Sequence, residues 1–504
     1  MKRQLQKRIL PAKVESPSMT DMQRFEPNCK TLGEIAAFLG AHISSKDESI
    51  EITGISSNSQ SITEGELFLA LPGVKTHGGA YLPSAVERGA RAVLTDIAGS
   101  ELSSVRNSAI PVLVVPNPRS QCGYLSDWFH GSPSRSLYLA GITGTNGKTT
   151  CTYLLHQIWH EARMETGIIG TVGITIGKDK YPATHTTPES DAVHSILSVM
   201  EERHLKAAAM EVSSHAIVQH RIDGLRFSSV GFTNLSQDHL DFHGTMENYF
   251  RAKRALFEPD LADVAFINID NPYGSKLAQD LSIPTSTLSL RKKKATWYFE
   301  SFEWISDAWT VSIRGEGGVL IEGKFRLPGE HNLENLLLAV AMASHSGVDP
   351  LVIGNSLHLL KGAPGRLERV ERGQDFIALV DYAHSPDAVE RVLHAVRTMT
   401  QHRVIAVLGC GGNRDKSKRP LMGAALRKGS DLAIFTSDNP RDEDPEVILK
   451  EMVSGIGLDD SAVVVTDRRE ALATAVANAI AGDVVIVLGK GHETGQEVKG
   501  VKLP

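Results

Sequence analysis

The stretch Leu139-Ala140-Gly141-Ile142-Thr143-Gly144-Thr145-Asn146-Gly147-Lys148-Thr149-Thr150 constrains this chain more than any other. The apolar run from Leu137 to Ala140 reads as a buried strand. After the loop, apolar residues recur at helical spacing at Leu154, Leu155, Ile158, Trp159 and Ala162. Strand, glycine-rich loop and helix together make a phosphate cradle. The glycines let backbone N–H groups converge on phosphate oxygens, and the helix N-terminus adds a partial positive charge. In such a cradle Lys148 reaches the β- and γ-phosphates, and the Thr149 hydroxyl holds Mg²⁺. Ile142 stands where the usual pattern G-x-x-x-x-G-K-[ST] has its first glycine, so an ordinary glycine-rich strand-to-helix turn is the competing reading.

The chain has 504 residues, length for about three domains of ~150 residues each. A hydrophobic content of 41% with 22% charged residues describes a soluble globular protein with an ample core. A net charge of -6 gives no nucleic-acid footprint. Cys29, Cys122, Cys151 and Cys410 form no CxxC pair, which argues against a zinc knuckle or a disulfide framework and for reduced thiols in the cytoplasm. No apolar run approaches ~18 residues, so no membrane insertion is expected. Residues 1–30 are basic and polar with scattered prolines and lack the apolar core of a signal peptide; a disordered extension is expected there.

Residues 31–117 read as a small α/β domain: a helix from Leu32 to Leu39, strands at Gly65–Leu71, Ala92–Leu94 and Val112–Val115, and a helix from Ala80 to Gly89. Pro116-Asn117-Pro118 marks the boundary. Residues 118–361 carry the phosphate loop, with further strands at Ala207–Val212, Val230–Asn234 and Val264–Asn268 in a mostly parallel sheet. After Ser289 the period changes to two, as in Trp309-Thr310-Val311-Ser312-Ile313, predicting an antiparallel flap with a hairpin at Gly315–Gly318. A helix from Leu333 to Ser346 follows. Residues 362–504 alternate strands (Phe376–Val380, Val404–Leu408, Leu432–Thr436, Val463–Thr466, Val484–Leu488) with helices such as Ala388–Thr398 and Arg468–Ala481, the pattern of a doubly wound, Rossmann-like sheet. Asp381, Gly411, Asp438 and Gly489 fall at strand carboxyl ends, where such folds place their ligands.

Single motifs in this chain are ambiguous. Glu211 closes a strand and can serve a metal, or it can be a hydrogen-bonded strand-end carboxylate. Two histidines and two aspartates between Asp238 and His243 fit a metal or phosphate site, and equally a solvated polar turn. By itself Lys253, on the helical stretch Tyr249–Phe257, is a surface lysine, and Asp438-Asn439-Pro440-Arg441 is a turn after a strand.

Taken together the motifs resemble the Mur ligase family, ATP-dependent amide-bond-forming enzymes of peptidoglycan synthesis. The carrying residues are Gly144–Thr150, Thr186-Thr187-Pro188-Glu189, Glu211-Val212-Ser213-Ser214-His215, Asp238-His239-Leu240-Asp241, Ala252-Lys253, Pro364-Gly365-Arg366, Asp381-Tyr382-Ala383-His384-Ser385-Pro386 and Gly489-Lys490-Gly491-His492-Glu493. The resemblance covers almost everything after the N-terminal extension. It implies an N-terminal UDP-binding domain, a central ATPase-like domain and a C-terminal amino-acid-binding domain. Asp438-Asn439-Pro440-Arg441 resembles the members that add meso-diaminopimelate to UDP-N-acetylmuramoyl-L-alanyl-D-glutamate. Lysine-adding members usually lack the arginine. A nucleotide-operated switch with no ligase activity is the reading from another class.

The resemblance also implies site roles. ATP meets Gly144, Thr145, Asn146, Gly147, Lys148, Thr149 and Thr150, with Arg366 and Asp381 from the C-terminal domain and Asn332 and Asn335 near the adenine. Thr149 holds one Mg²⁺, and Glu211 and His239 hold a second. Lys253 matches a lysine that takes up CO₂ as a carbamate. Ser59, Thr186, Thr187, Ser213, Gln219 and Arg221 match contacts to the UDP-sugar peptide. Arg414, Asp438, Asn439, Pro440, Arg441, Gly489 and Glu493 surround diaminopimelate. Physically, Arg441 suits a bidentate grip on a carboxylate, and Asn439 offers a donor and an acceptor without adding charge. Two departures stand in the first domain: Asn58-Ser59-Gln60 where relatives read Asp-Ser-Arg, and His77-Gly78-Gly79 where they read Asp-Gly-His. The expected partners are small molecules, with no nucleic acid and no membrane, for a cytoplasmic monomer.

Overall fold

A computed structural model of the chain describes residues 28–73, 75–305, 308–493 and 495–503. The expected extension, residues 1–30, lies outside these except for its last three; Lys30 opens a short strand, Lys30–Thr31, paired antiparallel with Glu51–Ile52. Two compact units emerge. One holds the described residues up to Leu137 with Glu165–Ala208 and Val218–Leu225. The other holds Tyr138–Met164, Ala209–Ile217 and the chain from Arg226 on.

In the first unit four parallel strands lie in the order Ile55–Ser56, Leu67–Leu69, Ala92–Thr95, Val112–Val114. Alternation along them fills two cores. Leu67, Leu69 and Leu94 pack on one face with Leu32 and Ile35, while Phe68, Ala70 and Val93 pack on the other with Leu82 and Ala85. The helix Leu32–Leu39 is set by a capping box between Thr31 and Glu34 and is stopped by Gly40 in the left-handed region. The expected helix Ala80–Gly89 divides into a 3₁₀ turn, Gly78–Tyr81, and a helix, Leu82–Glu87. Pro83 lies in the first turn of the latter, where a missing N–H costs nothing. A second group in this unit has the antiparallel strands Thr166–Gly170, Gly173–Ile176 and Asp179–Tyr181, and the helix Ser190–Glu202.

The second unit contains two large sheets and a two-stranded ribbon, Gln496–Val498 with Val501–Leu503. In one, Tyr138–Thr143, Ser229–Phe232, Ala265–Asn268 and Thr285–Ser289 run parallel as neighbours, and Trp297–Ile305, Ala308–Arg314 and Leu320–Phe325 extend it. The last three are the antiparallel flap that the period-two pattern predicts, turning through Glu316–Gly318. The other sheet has the parallel order Ile377–Val380, Val484–Val487, Val404–Leu408, Leu432–Phe435, Ala462–Val464. Both of its faces are covered, the signature of a doubly wound sheet. Val404, Ala406 and Leu408 pack with Val389, Met422 and Leu449, and Ile405 and Val407 pack with Ala471 and Ala475. The chain is thus α/β, with parallel, mixed and doubly wound sheets in succession. Among the described residues no helix is long and apolar enough to cross a membrane.

Candidate active site

The loop after Tyr138–Thr143 leads into the helix Lys148–Glu161, as strand, glycine loop and helix predict. Gly144 has φ +146, and a Cβ there would lie 1.9 Å from Thr233 Oγ1, so only glycine lets the loop pack on the neighbouring strand end. Two lysines converge on one carbonyl: Lys148 Nζ and Lys253 Nζ each donate to Gly144 O at 2.9 Å. Lys253 is 1% exposed. Burial lowers the affinity of both amines for a proton, and each is pushed further by a neighbouring cation, Lys148 by Arg366 and Lys253 by Lys148. Lys148 and Lys253, beside the N-terminus of the helix Lys148–Glu161, make a place for an anion. Lys253 is thus no surface lysine.

Thr149 Oγ1 donates to Glu211 Oε2 at 2.9 Å, and Glu211 is 1% exposed. These two hard oxygen donors fit Mg²⁺, which takes few protein ligands and completes its shell with phosphates and water. The Asp238–His243 run does not act as one cluster; among the described residues no group of three metal-binding side chains forms. Asp238 accepts from Lys418 Nζ at 3.2 Å, and His243 Nε2 meets Ser214 Oγ at 2.9 Å. His239, in the left-handed region at φ 53, packs edge-on against His215. Burial, with His215, Lys148 and Lys253, pulls it down to about 3 against Asp238, so its ring is neutral and able to ligate.

One cavity is lined by Asn146, Gly147, Thr150, Asn332, Asn335, Arg366 and Asp381, bringing together seven of the residues expected around ATP. Asn335 Nδ2 donates to Asn332 Oδ1 at 3.2 Å. The Arg366 guanidinium lies 4.5 Å above the Tyr382 ring. Asp381 accepts from the N–H groups of Leu367 and Ala383 at 2.7 and 2.8 Å, so its carboxylate fixes the turn that carries Arg366. His331, Glu334 and Arg391 also line this cavity and were not singled out by the sequence, because each sits inside an ordinary amphipathic helix pattern.

Beyond Leu432–Phe435, Asp438 and Asn439 are buried. Asn439 Nδ2 donates to Glu493 Oε2 at 2.8 Å, while its Oδ1 accepts from Lys490 Nζ and Glu497 N at 2.8 and 2.9 Å. The acceptor expected to serve a ligand is therefore already used. Arg441, at φ 52, spends Nε on Glu497 at 3.1 Å and Nη1 on the Gly412 carbonyl at 2.7 Å, so part of its fork is engaged as well. Gly489, at φ 102, lies where a Cβ would meet Asp438 Oδ2 at 2.6 Å. Arg414 is exposed and has no side-chain hydrogen bond or ion pair among the described residues. The loop 411–416 is held by Arg419, 1% exposed, which pairs with Glu443 at 2.8 Å and Glu451 at 2.6 Å. A lone arginine in a helix carries no sequence signal for such a role.

In the first unit Arg221 donates to the Thr187 carbonyl at 2.9 Å and pairs with Glu189 at 3.0 Å; Arg119 pairs with the same carboxylate at 3.1 Å. Thr186 and Thr171 hydroxyls meet at 3.1 Å. Ser59 is buried in a loop whose Ser57 donates N–H and Oγ–H to Asp191 at 2.7 and 2.9 Å. Gln60 meets Ser84 and Arg88, and His77 meets Asp96 at 3.0 Å, so the departures from the family pattern have partners of their own. Gln219 is half-buried with no side-chain hydrogen bond among the described residues. In the other unit, Ser213 Oγ accepts from Ala216 N at 3.2 Å.

Residues 51–123 match the catalytic domain of the Mur ligase family, residues 142–343 the Mur ligase middle domain, and residues 365–491 the glutamate ligase domain of Mur ligases. A UDP-N-acetylmuramoyl-L-alanyl-D-glutamate–2,6-diaminopimelate ligase of Streptomyces coelicolor is 43% identical over 479 residues, 94% of each chain. A UDP-N-acetylmuramyl-tripeptide synthetase of Leifsonia xyli is 36% identical over 97% of this chain and 96% of its own. A solved structure of a diaminopimelate ligase of the same description is 32% identical, with a TM-score of 0.65 over 94% of this chain and 96% of that one.

Proposed function

We propose, given that this chain belongs to the Mur ligase family, that it joins meso-diaminopimelate to the D-glutamate side chain of UDP-N-acetylmuramoyl-L-alanyl-D-glutamate at the expense of ATP. The γ-phosphoryl group of ATP passes to the glutamate carboxylate, giving an acyl phosphate and ADP. An amine of diaminopimelate attacks the acyl carbon, phosphate leaves with the C–O bonding pair, and the amine proton is lost to form the amide. Such chemistry depends on positioning and charge neutralisation more than on covalent help from the protein.

In this reading Lys148 neutralises charge on the transferred phosphoryl group, and Asn332, Asn335, Arg366 and Asp381 shape the nucleotide pocket. Thr149, Glu211 and His239 would hold Mg²⁺, which when bound supplies Lewis-acid charge at the phosphates. Lys253 is read as a carbamate: its amine, whose hold on a proton burial and Lys148 weaken, adds to CO₂ through its lone pair and releases a proton. The product is an anion in place of a second buried cation. Ser59, Thr186, Thr187, Ser213, Gln219 and Arg221 hold the UDP-sugar peptide. Residues 31–117, 118–361 and 362–504 serve the UDP-sugar, ATP and the amino acid respectively. The setting is the cytoplasm and the chain acts as a monomer.

One observation carries the choice of amino acid. Beyond the strand ends of the C-terminal sheet stand both signs of charge, Arg441 and Arg414 beside Gly411 and Glu493 on Asn439, as suits the far end of diaminopimelate, which bears a carboxylate and an ammonium where the side chain of lysine ends in an ammonium alone. The test is phosphate release from ATP with UDP-muramoyl-dipeptide and each candidate amino acid. Release that needs the dipeptide and diaminopimelate supports the reading. Release with lysine alone would make this a lysine-adding ligase, and release without any amino acid would make it a nucleotide switch.

A further inference from the structure

An asparagine amide fits its space in either of two orientations, and the neighbours of Asn439 permit one. Lys490 Nζ and the Glu497 N–H lie 2.8 and 2.9 Å from Oδ1, and Glu493 Oε2 lies 2.8 Å from Nδ2. An ammonium and a peptide N–H only donate, and an ionised carboxylate only accepts. Turned over, the amide would set its NH₂ against two donors and its oxygen against a carboxylate. Of the two hydrogens on Nδ2, one is committed to Glu493 and the other is left for a ligand.

We propose that Lys490 is a positioning residue for amino-acid selection: by donating to Asn439 Oδ1 it fixes the amide so that Asn439 offers the substrate a donor and no acceptor. This rests on reading Asp438–Arg441 as the amino-acid site. Its consequence is that the substrate atom meeting Asn439 must accept, as a carboxylate oxygen does and an ammonium does not. The ammonium is left to Glu493. Lys490 also donates to Glu493 Oε2 at 3.1 Å, so one side chain sets both recognition groups. It lies 3.9 Å from Asp438 Oδ1, and its side chain is 11% exposed, so its hydrogens point at protein acceptors and little water stands by to replace it. Lys490 thus acts through its neighbours and not on the substrate.

The test compares wild type with Lys490→Met, which keeps the apolar stem and removes the donor. The KM for diaminopimelate should rise roughly tenfold or more, as loss of a charge-assisted bond in a buried site implies, while the KM for ATP stays put. The ratio of kcat/KM for diaminopimelate to that for lysine should fall by a similar factor, because the Glu497 N–H alone then holds Oδ1, and the donor-outward orientation that favours a carboxylate over an ammonium is less firmly kept. Lys490→Arg should recover much of the ratio. In an Asn439→Ala background, Lys490→Met should cost little more, since residues acting through one contact are not additive. A fall in kcat with an unchanged ratio, or full additivity with Asn439→Ala, would overturn the proposal. If Lys490→Met does not fold, Lys490→Gln weakens the same bond and is read by the same ratio; an unchanged ratio there also overturns it. Failure of the functional reading itself looks different: wild type would then release no phosphate in response to diaminopimelate.

Discussion

Arg441 and Lys253 show how differently two cations of one unit are used. Arg441 has Nη2 and part of Nη1 left after its bonds to Glu497 and Gly412, so the part of its fork that the proposed function assigns to a carboxylate is oriented by the protein itself. Losing a charge-assisted contact in a dry site costs on the order of 2–5 kcal/mol, ~30-fold or more. Arg441→Ala is therefore expected to raise the KM for diaminopimelate by that factor with little change for ATP, as steady-state kinetics on both substrates will show. Asn439→Asp keeps the acceptor that Lys490 and Glu497 need but sets a second oxygen against Glu493 and removes the ligand's donor. It should weaken diaminopimelate more than lysine. Lys253 holds its amine against Gly144 O in a buried site. Lys253→Ala should lower kcat on the order of a hundredfold, the loss typical of one preorganised charge, with the fold intact by circular dichroism. Partial rescue by added short carboxylates would follow from a carbamate, and wild-type turnover in the mutant would remove that role. The motif residues were legible in the sequence because their order along the chain is specific. Their pairings were not: Lys490, itself a motif residue, and Arg419, Lys418 and Asp191 act through contacts 24 to 180 residues away, which no local pattern encodes.

Among elements, those carried by apolar periodicity were read within three residues at each end. Val404–Leu408 stands as expected, and the strand before the phosphate loop runs to Thr143, past the expected Ala140, because Gly141 and Ile142 continue the ladder with Val230 and Gly231. Helix starts shifted towards their caps, as at Pro386–Arg397, where Ser385 accepts from Ala388 N. The loop bearing Ser59 is an element of a different kind, since it has no sheet partner and depends on Asp191 at the start of the helix Ser190–Glu202. Asp191→Ala leaves the Ser57 N–H and hydroxyl without their acceptor, at about 1–3 kcal/mol. A lower melting temperature and a raised KM for the UDP-linked substrate, with the KM for the amino acid unchanged, are expected. An unchanged UDP-substrate KM would separate this loop from that site.

At the scale of the molecule, the phosphate loop and the amino-acid cluster belong to one unit and are tied by polar contacts between its two sheets' loops. Lys418 meets Asp238, Asn146 Nδ2 donates to Asp387 at 3.2 Å, and Arg366 Nη2 donates to Thr149 Oγ1 at 3.5 Å. Arg366 and Asn146 also line the cavity proposed for the nucleotide, so the side chains read as ATP contacts also draw the C-terminal sheet to the loop. A ligase needs that coupling: the acyl phosphate must meet the amine before water does. Three sites working in sequence should yield a single covalent product. The most direct measurement incubates the protein with ATP, Mg²⁺, UDP-N-acetylmuramoyl-L-alanyl-D-glutamate and equal meso-diaminopimelate and L-lysine, and weighs the nucleotide product by mass spectrometry. The expected result is UDP-muramoyl-tripeptide carrying diaminopimelate, formed with stoichiometric phosphate. A product carrying lysine, or phosphate release with the dipeptide left unchanged, would contradict the account.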